Sequence, residues 1–192
     1  MSPLPEPLTP SMRIIAGQSG GRGLASPSDR SIRPTPERAR EALFSTVGNL
    51  TGAVVADVYA GTGALGCEAL SRGADICYFV DESPEAIELI EENLERIGAQ
   101  DRGIVMEGDV IATLPMIYDD PDLWLLDPPY DSGLGVKTLE AMREAECVTE
   151  DALIVLETST DEAPIEVDGF RTEDRREYGK SRLTYYRRIP AD

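Results

Sequence analysis

Residues 54–66, which read VVADVYAGTGALG, decide the fold of this chain. The valine-rich start is typical of a buried β-strand, and three glycines then follow with the spacing G-x-G-x-x-G, at Gly61, Gly63 and Gly66. Glycine can adopt positive φ angles and lets backbone N–H groups and the N-terminus of a following helix come close to a ligand. The stretch therefore predicts a strand, a tight turn and a helix that together bind a nucleotide.

Asp81 is placed to complete that nucleotide site. It ends a second apolar run, ICYFVD at residues 76–81, and lies 20 residues after Gly61. A carboxylate at this position of a dinucleotide-binding fold accepts hydrogen bonds from ribose hydroxyls. The pattern does not separate NAD(H) from S-adenosylmethionine, because both ligands present an adenosine ribose, so both remain open at this point.

Outward from this stretch, short apolar strands alternate with amphipathic helices. This alternation predicts an α/β fold whose mostly parallel sheet is buried on both faces. Residues 170–178 and 182–188 flank a turn at Gly179, which predicts an antiparallel hairpin at one edge of the sheet. The predicted strands before the hairpin are 54–59, 76–81, 103–109, 123–127 and 152–157, and the predicted helices are 35–48, 64–72, 84–97 and 134–145.

Cap residues mark the ends of two of these helices. Serine or threonine accepts a free N–H group at a helix start, and glycine takes the left-handed conformation at a helix end. The first helix has Thr35 and Pro36 at its start and Gly48 at its end, and the third has Ser83 and Pro84 at its start and Gly98 at its end.

The residue inventory excludes several kinds of chemistry. The chain has no histidine, which rules out a Ser-His-Asp or Cys-His mechanism, a histidine-ligated metal and an imidazole base. Cys67, Cys77 and Cys147 have no C-x-x-C spacing, which is typical of reduced core thiols rather than of a disulfide framework or a zinc site. We therefore expect a cytoplasmic protein without a metal, and no apolar run approaches the roughly 18 residues of a membrane span.

Length and local composition predict one main domain preceded by two N-terminal pieces. A chain of 192 residues has room for a single domain with a sizeable core. Residues 1–11 carry four prolines and are expected to be a disordered leader. Residues 12–50 are then an N-terminal extension, and residues 51–192 are the ligand-binding domain.

The charge of the chain is strongly acidic but unevenly distributed. Its 18 Lys+Arg and 36 Asp+Glu give a net charge of −18, which taken alone argues against a nucleic-acid partner. Residues 13–40, however, hold six arginines against two acids, and residues 171–188 hold seven basic residues against three acids, a local balance of +4 in each. These arginines either contact a polyanion or pair with the acidic remainder of the chain.

The tetrapeptide Asp127-Pro128-Pro129-Tyr130 directly follows the apolar run LWLL. Because ligands bind beyond the carboxyl ends of strands in open α/β sheets, this corner should lie beside the glycine turn. Two prolines fix the backbone, so the Asp127 carboxylate and the Pro128 carbonyl become acceptors aimed at one point. Such a corner suits an exocyclic amino group on a planar base, with Tyr130 stacked on that base. An ordinary turn is the simpler alternative.

Six stretches of the chain carry a resemblance to a known family: RIIAGQSGGRGL, IRPTPERAREALF, DVYAGTGALGCEAL, FVDESPEAIELIEENL, LLDPPY and YGKSRLTYYRR. Together, over about residues 12–188, they resemble the bacterial methyltransferases that make N2-methylguanine in 16S ribosomal RNA (the RsmD type). The resemblance implies a class I S-adenosylmethionine-dependent fold, which is Rossmann-like with a seven-stranded sheet. It also implies that the N-terminal extension helps to hold RNA.

The resemblance further implies roles for individual residues, each of which remains an expectation. The cofactor would be S-adenosylmethionine. Its methionine end would contact Asp57, Gly61 and Gly63. Its ribose would contact Asp81, and its adenine would lie near Asp109. The target guanine would be held by Asp127, Pro128 and Tyr130, and the RNA by Arg13, Arg22, Arg33, Arg38 and Arg40. The chain departs from the family pattern by having Asp81 where glutamate is frequent, and by its strong acidity.

The expected partner is 16S ribosomal RNA, within the small subunit or its assembly intermediate, and the expected state is a monomer free of membrane and metal. Three alternatives stay open. The glycine turn and Asp81 also suit an NAD(P)-dependent oxidoreductase. A catalytically silent RNA-binding assembly factor would share the basic stretches. A methyltransferase acting on another amino group, such as adenine N6 or a protein amide, could use the same DPPY corner.

Overall fold

The computed structural model describes residues 12–27 and 37–190 of the chain. Within them, seven strands form one sheet: β1 Val54–Val58, β2 Ile76–Asp81, β3 Gly103–Glu107, β4 Leu123–Leu126, β5 Leu153–Ser159, β6 Phe170–Tyr178 and β7 Ser181–Arg188. The α-helices of this part are α1 Glu37–Val47, α2 Ala64–Ser71, α3 Pro84–Ile97, α4 Val110–Thr113 and α5 Leu134–Glu144, and a 3-10 turn, Leu114–Met116, follows α4.

The order of strands across the sheet is β3-β2-β1-β4-β5-β7-β6. The strands from β3 to β5 pair in parallel, whereas β7 pairs antiparallel with both β5 and β6. Because the chain moves to one side after β1 and to the other side from β4 onward, a crevice forms between the carboxyl ends of these two strands. The predicted fold, a mostly parallel seven-stranded sheet with a C-terminal antiparallel hairpin, is confirmed.

Two apolar layers cover the sheet, one on each face. In β4, Leu123 and Leu125 belong to the layer that contains α2 and α3, while Trp124 and Leu126 belong to the layer that contains α4 and α5. Successive strand residues point to opposite faces, so a strand covered on both sides needs apolar residues at every position. This double burial is the reason that β4 has no polar alternation.

The helix ends follow the predicted cap residues wherever the structure describes them. Gly48 (φ 84°) follows the end of α1 in the left-handed conformation. Ser83 accepts a backbone N–H group through its hydroxyl at the start of α3, and Gly98 (φ 70°) ends that helix. Helix α4 was not predicted, because its four residues are too few for a periodic pattern to show.

Three sequence predictions fall on residues outside the described ranges: the leader at 1–11, the cap formed by Thr35 and Pro36, and the RNA contact of Arg33. Of the helices in the described part, none has the length and apolar character needed to cross a lipid bilayer.

A buried carboxylate on α2 binds the segment 12–27 to the sheet domain. Glu68 is fully buried, and it accepts the backbone N–H groups of Ile15 at 2.7 Å and Ala16 at 3.1 Å. Arg72, one turn further along α2, donates to the same carboxylate at 2.6 Å. Glu68 thus supplies the acceptors for two backbone N–H groups of this loop.

A second buried side chain connects this segment to the glycine turn. Asn93 of α3 accepts the N–H of Ala25 at 2.6 Å and donates to the carbonyls of Ala25 at 3.2 Å and Thr62 at 2.8 Å. Ile14 of the same segment lies in the apolar layer of α2 and α3. The segment therefore shares the core of the ligand-binding domain, and the proposed division of the chain at residue 50 stays a prediction.

Replacing Glu68 by alanine should destabilise the chain and release the segment 12–27. The substitution leaves two backbone N–H groups and Arg72 without their acceptor, which we expect to lower the free energy of unfolding by about 3 kcal/mol. Urea unfolding measures this change, and the rate of tryptic cleavage after Arg22 measures the release of the segment.

Glu92→Ala is the matched control, because Glu92 pairs with Arg96 on the exposed surface of α3. An exposed pair of this kind contributes about 0.5 kcal/mol or less. Equal losses of stability in the two variants, with unchanged cleavage after Arg22, would contradict the role assigned to Glu68.

Candidate active site

A cavity of about 550 Å³ opens at the carboxyl ends of the central strands. Its walls come from four loops that follow β1, β2, β3 and β4, and from single residues of other elements. Cavities of this volume are typical of sites for small ligands and cofactors. The loop residues are 59–62, 81–83, 109–111 and 127–130, and the others include Met12, Arg40, Asp57, Glu157 and Ser181.

The glycine turn follows β1, which ends one residue earlier than predicted because Tyr59 takes a positive φ of 63°. Gly61 (φ 55°) and Gly63 (φ 71°) continue the turn in the left-handed region. Gly66 has another purpose: a Cβ atom there would lie 2.2 Å from Cε1 of Phe79, so glycine lets α2 pack against β2. The turn delivers the first residues of α2, Ala64 and Leu65, to the cavity wall.

Asp57 is a buried carboxylate beneath this turn. Only 1% of the residue is exposed, and its Oδ2 accepts the backbone N–H of Gly66 at 2.8 Å. Burial raises the pKa of Asp57 to about 7, although the hydrogen bond from Gly66 opposes this and the charge of Asp81 adds to it. A carboxyl whose pKa is raised by burial beside a cavity is a candidate for contact with a ligand.

Asp81 and Asp109 both lie in the cavity wall, and both already accept backbone hydrogen bonds. The two oxygens of Asp81 accept the N–H of Gly61 at 2.8 Å and of Ser83 at 3.0 Å. Asp109 caps α4 by accepting the N–H of Ala112 at 2.8 Å. A carboxylate has about four acceptor positions, so each retains capacity for a hydroxyl or amino group of a ligand.

The corner Asp127-Pro128-Pro129-Tyr130 lines the same cavity as the glycine turn, as the order of the strands predicts. Asp127 begins the corner with its N–H bonded to the carbonyl of Val58, at the end of the neighbouring strand β1, at 3.3 Å. Asp127 is half-buried and Pro128 is buried. Both loops thus leave adjacent strands at the same level.

The hydroxyl of Tyr130 is held by two side chains from β5 and β7, the next two strands beside β4. It donates to Oε1 of Glu157 on β5 at 2.8 Å and lies 3.1 Å from Oγ of Ser181 on β7. Burial raises the pKa of Tyr130 to about 12, a rise supported by the charge of Glu157. The tyrosine is therefore neutral at physiological pH and its ring is fixed in place.

Glu157 is a site residue that the sequence reasoning missed. It is 4% exposed and lines the cavity beside Tyr130. A signal was present, because Glu157 closes the apolar run LIVL just as Asp81 and Asp127 close theirs. In the sequence, carboxylates that close three apolar runs point to one edge of the sheet, although β5 continues two residues beyond Glu157 to Ser159.

Arg40 differs from the other arginines predicted to contact RNA. It is 2% exposed and lies in the cavity wall. Burial lowers the pKa of its guanidinium, while the charges of Glu68 and Glu37 raise it. Arg38, two residues earlier on α1, is exposed.

Most remaining arginines of the two basic stretches have partners. Arg13 forms an ion pair with Glu37 at 3.0 Å, and Arg22 donates to the carbonyl of Arg96 at 2.7 Å. In the hairpin, the ion pairs join Arg171 and Arg187 to Glu173, Arg175 to Glu166, Arg176 to Asp174 and Arg182 to Glu177. Contact of the basic stretches with RNA stays a prediction.

Comparison with known proteins gives one family and several relatives. A family model described as Conserved hypothetical protein 95 matches residues 12–187. The chain is 30% identical over 151 residues to the Ribosomal RNA small subunit methyltransferase D of Escherichia coli, covering 78% of this chain and 76% of that protein. It is 31% identical over 182 residues to YlbH of Bacillus subtilis, provisionally named an rRNA methyltransferase. This match covers 92% of this chain and 99% of that protein.

A solved structure supports the same relationship. An Escherichia coli protein, described provisionally as a methyltransferase, superposes with a TM-score of 0.80 at 28% identity, covering 92% of this chain and 97% of that one. The family model, which matches residues 12–187, spans both the segment 12–27 and nearly all of the hairpin.

Asp57→Asn should change how stability depends on pH. Because the pKa of Asp57 rises from 3.8 to about 7 on folding, the folded chain binds more protons than the unfolded chain between these values. This group therefore stabilises the fold less as pH rises through that window. Asparagine keeps an acceptor for Gly66 but does not titrate. From pH 5 to pH 8, the free energy of unfolding of the variant, measured in urea, should therefore rise by about 2 kcal/mol relative to that of the wild type.

Asp101→Asn serves as the control, because Asp101 is exposed at a loop. We expect this variant to keep the pH dependence of the wild type. Parallel stability curves for Asp57→Asn and wild type would mean that the Asp57 carboxyl is not perturbed by burial.

Proposed function

Because the chain belongs to the Conserved hypothetical protein 95 family, we propose that it transfers a methyl group from S-adenosylmethionine to the exocyclic N2 of a guanine in 16S ribosomal RNA. The broader activity, S-adenosylmethionine-dependent methylation of ribosomal RNA, agrees with a relative named Ribosomal RNA small subunit methyltransferase D. The observation that carries the proposal is the position of the DPPY corner in one cavity with the glycine turn and Asp81.

The residues of the cavity fit the proposed cofactor. Asp81 is held so that it retains acceptor capacity for the ribose hydroxyls, and Asp109 offers the same near the adenine. Asp57 suits the ammonium group at the methionine end, because a buried carboxylate gains most from a nearby cation. The cofactor supplies a methyl group already activated by a sulfonium, so no residue needs to activate it.

The DPPY corner would orient the amine that receives the methyl group. The lone pair of guanine N2 is delocalised into the ring, which makes this nitrogen a poor nucleophile. Hydrogen bonds from the amine to the Asp127 carboxylate and the Pro128 carbonyl would aim it and favour a more tetrahedral nitrogen. Positioning of two reactants and stabilisation of the charge that develops on nitrogen then account for the acceleration.

Tyr130 would support the base from its face. Its hydroxyl is bonded to Glu157 and Ser181, so the ring cannot rotate freely. A ring fixed in this way is preorganised for stacking on a planar base, which contributes about 1–3 kcal/mol. Since a paired guanine hides its N2 edge, the target nucleotide must be unpaired or turned out of its helix.

The RNA substrate would contact the exposed arginines of the N-terminal part while its target base enters the cavity. Arg13, Arg22 and Arg38 lie on the surface of the described N-terminal part, and we propose that they meet RNA phosphates within the small subunit or its assembly intermediate. We propose that this methylation of ribosomal RNA takes place in the cytoplasm.

An NAD(P)-dependent oxidoreductase is the second candidate, because the glycine turn and Asp81 serve both cofactors. The DPPY corner has no purpose in hydride transfer, and the relatives above point away from it. Thermal melting separates the two candidates, since a ligand that binds the folded chain raises its melting temperature by an amount that grows with the logarithm of the ligand concentration. We expect S-adenosylmethionine to do so and NADH not to.

Asp127→Asn and Asp127→Ala should lose methyl transfer while keeping cofactor binding. The substitutions remove the charged acceptor that orients the amine, so we expect a loss of at least about a hundredfold in rate. The assay incubates labelled S-adenosylmethionine with small-subunit particles that lack the modification, then maps the methylated nucleotide. Cofactor affinity, measured by calorimetry, should stay within about threefold because the proposed cofactor contacts come from Asp57, Asp81 and Asp109 rather than from Asp127.

Asp131→Asn provides the matched control. Asp131 lies four residues later in the same loop with a positive φ of 56°, a conformation that asparagine also tolerates. Its variant should methylate at the wild-type rate. Full activity of Asp127→Ala, or a label found on adenine N6, would refute the assignment of the corner to guanine N2.

A further inference from the structure

Arg40 is a buried cation with unused hydrogen-bonding capacity. Its Nη2 donates to the carbonyl of Arg13 at 2.9 Å. Its Nε and Nη1 are buried and have no hydrogen-bond partner in the described part of the chain. An unpaired buried donor on a charged group is costly, so folded proteins rarely keep one without a ligand or a function.

Apart from Arg40, the charged side chains among the described lining residues are all acidic. Among the described lining residues Arg40 is the one basic side chain, against seven carboxylates: Asp57, Asp81, Glu82, Glu85, Asp109, Asp127 and Glu157. A wholly cationic ligand would need no arginine there, and a polyanion would be repelled by the acids. The pattern suits a ligand that is mostly cationic but carries one anionic group.

S-adenosylmethionine has that pattern of charge, since it carries a sulfonium, an ammonium and a single carboxylate. The carboxylate belongs to the methionine part, which the proposed function assigns to the neighbourhood of Asp57. Arg40 and Asp57 line the same cavity. Asp57 accepts the backbone N–H of Gly66 early in α2, and α2 also carries Glu68, which binds the segment that holds Arg40.

The segment 12–27 and α1 position this guanidinium. The carbonyl of Arg13 anchors Nη2, and Glu68 accepts the backbone N–H groups of Ile15 and Ala16 in the same segment. The burial of Arg40 excludes it from direct contact with a large RNA surface, in contrast to Arg38 on the exposed side of the same helix.

We propose that Arg40 binds the carboxylate of the methionine part of S-adenosylmethionine, an inference that rests on the proposed function. Arginine suits this task because its planar group can donate two parallel hydrogen bonds to a carboxylate. Arg40 is thus a residue of the cofactor site and selects for a ligand with an intact amino-acid group.

Calorimetry with two ligands tests this role on the full chain. The ligands are S-adenosylmethionine and its decarboxylated analogue, which keeps the sulfonium, ammonium and adenosine groups. Wild type should bind S-adenosylmethionine about tenfold to a hundredfold more tightly than the analogue. Arg40→Met should lose that factor for S-adenosylmethionine and keep its affinity for the analogue within about twofold.

Arg102→Met is the matched control. The guanidinium of Arg102 is also partly buried and donates to backbone carbonyls, those of Leu70 and Ala74, away from the cavity. Its loss should destabilise the fold without changing the ratio of the two affinities. Arg40→Lys keeps the charge without the planar group, and it should retain part of the preference if Arg40→Met does not fold.

The outcomes separate the inference from the proposed function. Equal affinity of wild type for the two ligands, or equal loss of both in Arg40→Met, would overturn the role of Arg40 and leave the proposed function standing. Failure of wild type to bind either ligand would instead refute the proposed function. Preference for S-adenosylmethionine that disappears in Arg40→Met and survives in Arg102→Met supports the inference.

Discussion

Two carboxylates that accept backbone N–H groups hold the glycine turn, and the rest of the site is built on that turn. Asp57, inside β1, binds the N–H of Gly66, and Asp81, at the end of β2, binds the N–H of Gly61, each at 2.8 Å. The turn is thereby fixed at both ends by neighbouring strands. Because the register of a parallel sheet fixes these strands, the position of the cavity follows from the sheet itself.

The segment 12–27 extends this construction beyond the sheet. Glu68 and Asn93 come from the two helices that flank the glycine turn, and both bind the backbone of the segment rather than its side chains. Asn93 also donates to the carbonyl of Thr62 within the turn. Order in the segment and order in the turn are therefore coupled, so the N-terminal part acts as a wall of the cavity.

Much of the fold could be predicted from the sequence, because its signals are local. Apolar runs, the hairpin around Gly179 and the cap at Ser83 depend on neighbouring residues, and all appear where expected. Glu68, Asn93 and Arg40 could not be predicted in their roles, since each depends on a partner far away in the chain. A buried charge looks like a surface charge until its partner is known. For Glu157, the position at the end of an apolar run could be read from the sequence, but its hydrogen bond to Tyr130 could not.

The ion pairs of the hairpin have a consequence for recognition. Each arginine that already pairs with a glutamate or aspartate on its own strand or the next one releases few counterions when a phosphate approaches. With a net charge of −18, the chain gains little from long-range attraction to a polyanion. The contribution of the hairpin to association with the proposed RNA partner would then depend only weakly on ionic strength. The hairpin would then contribute to discrimination through the shape of the RNA that it fits rather than through its charge.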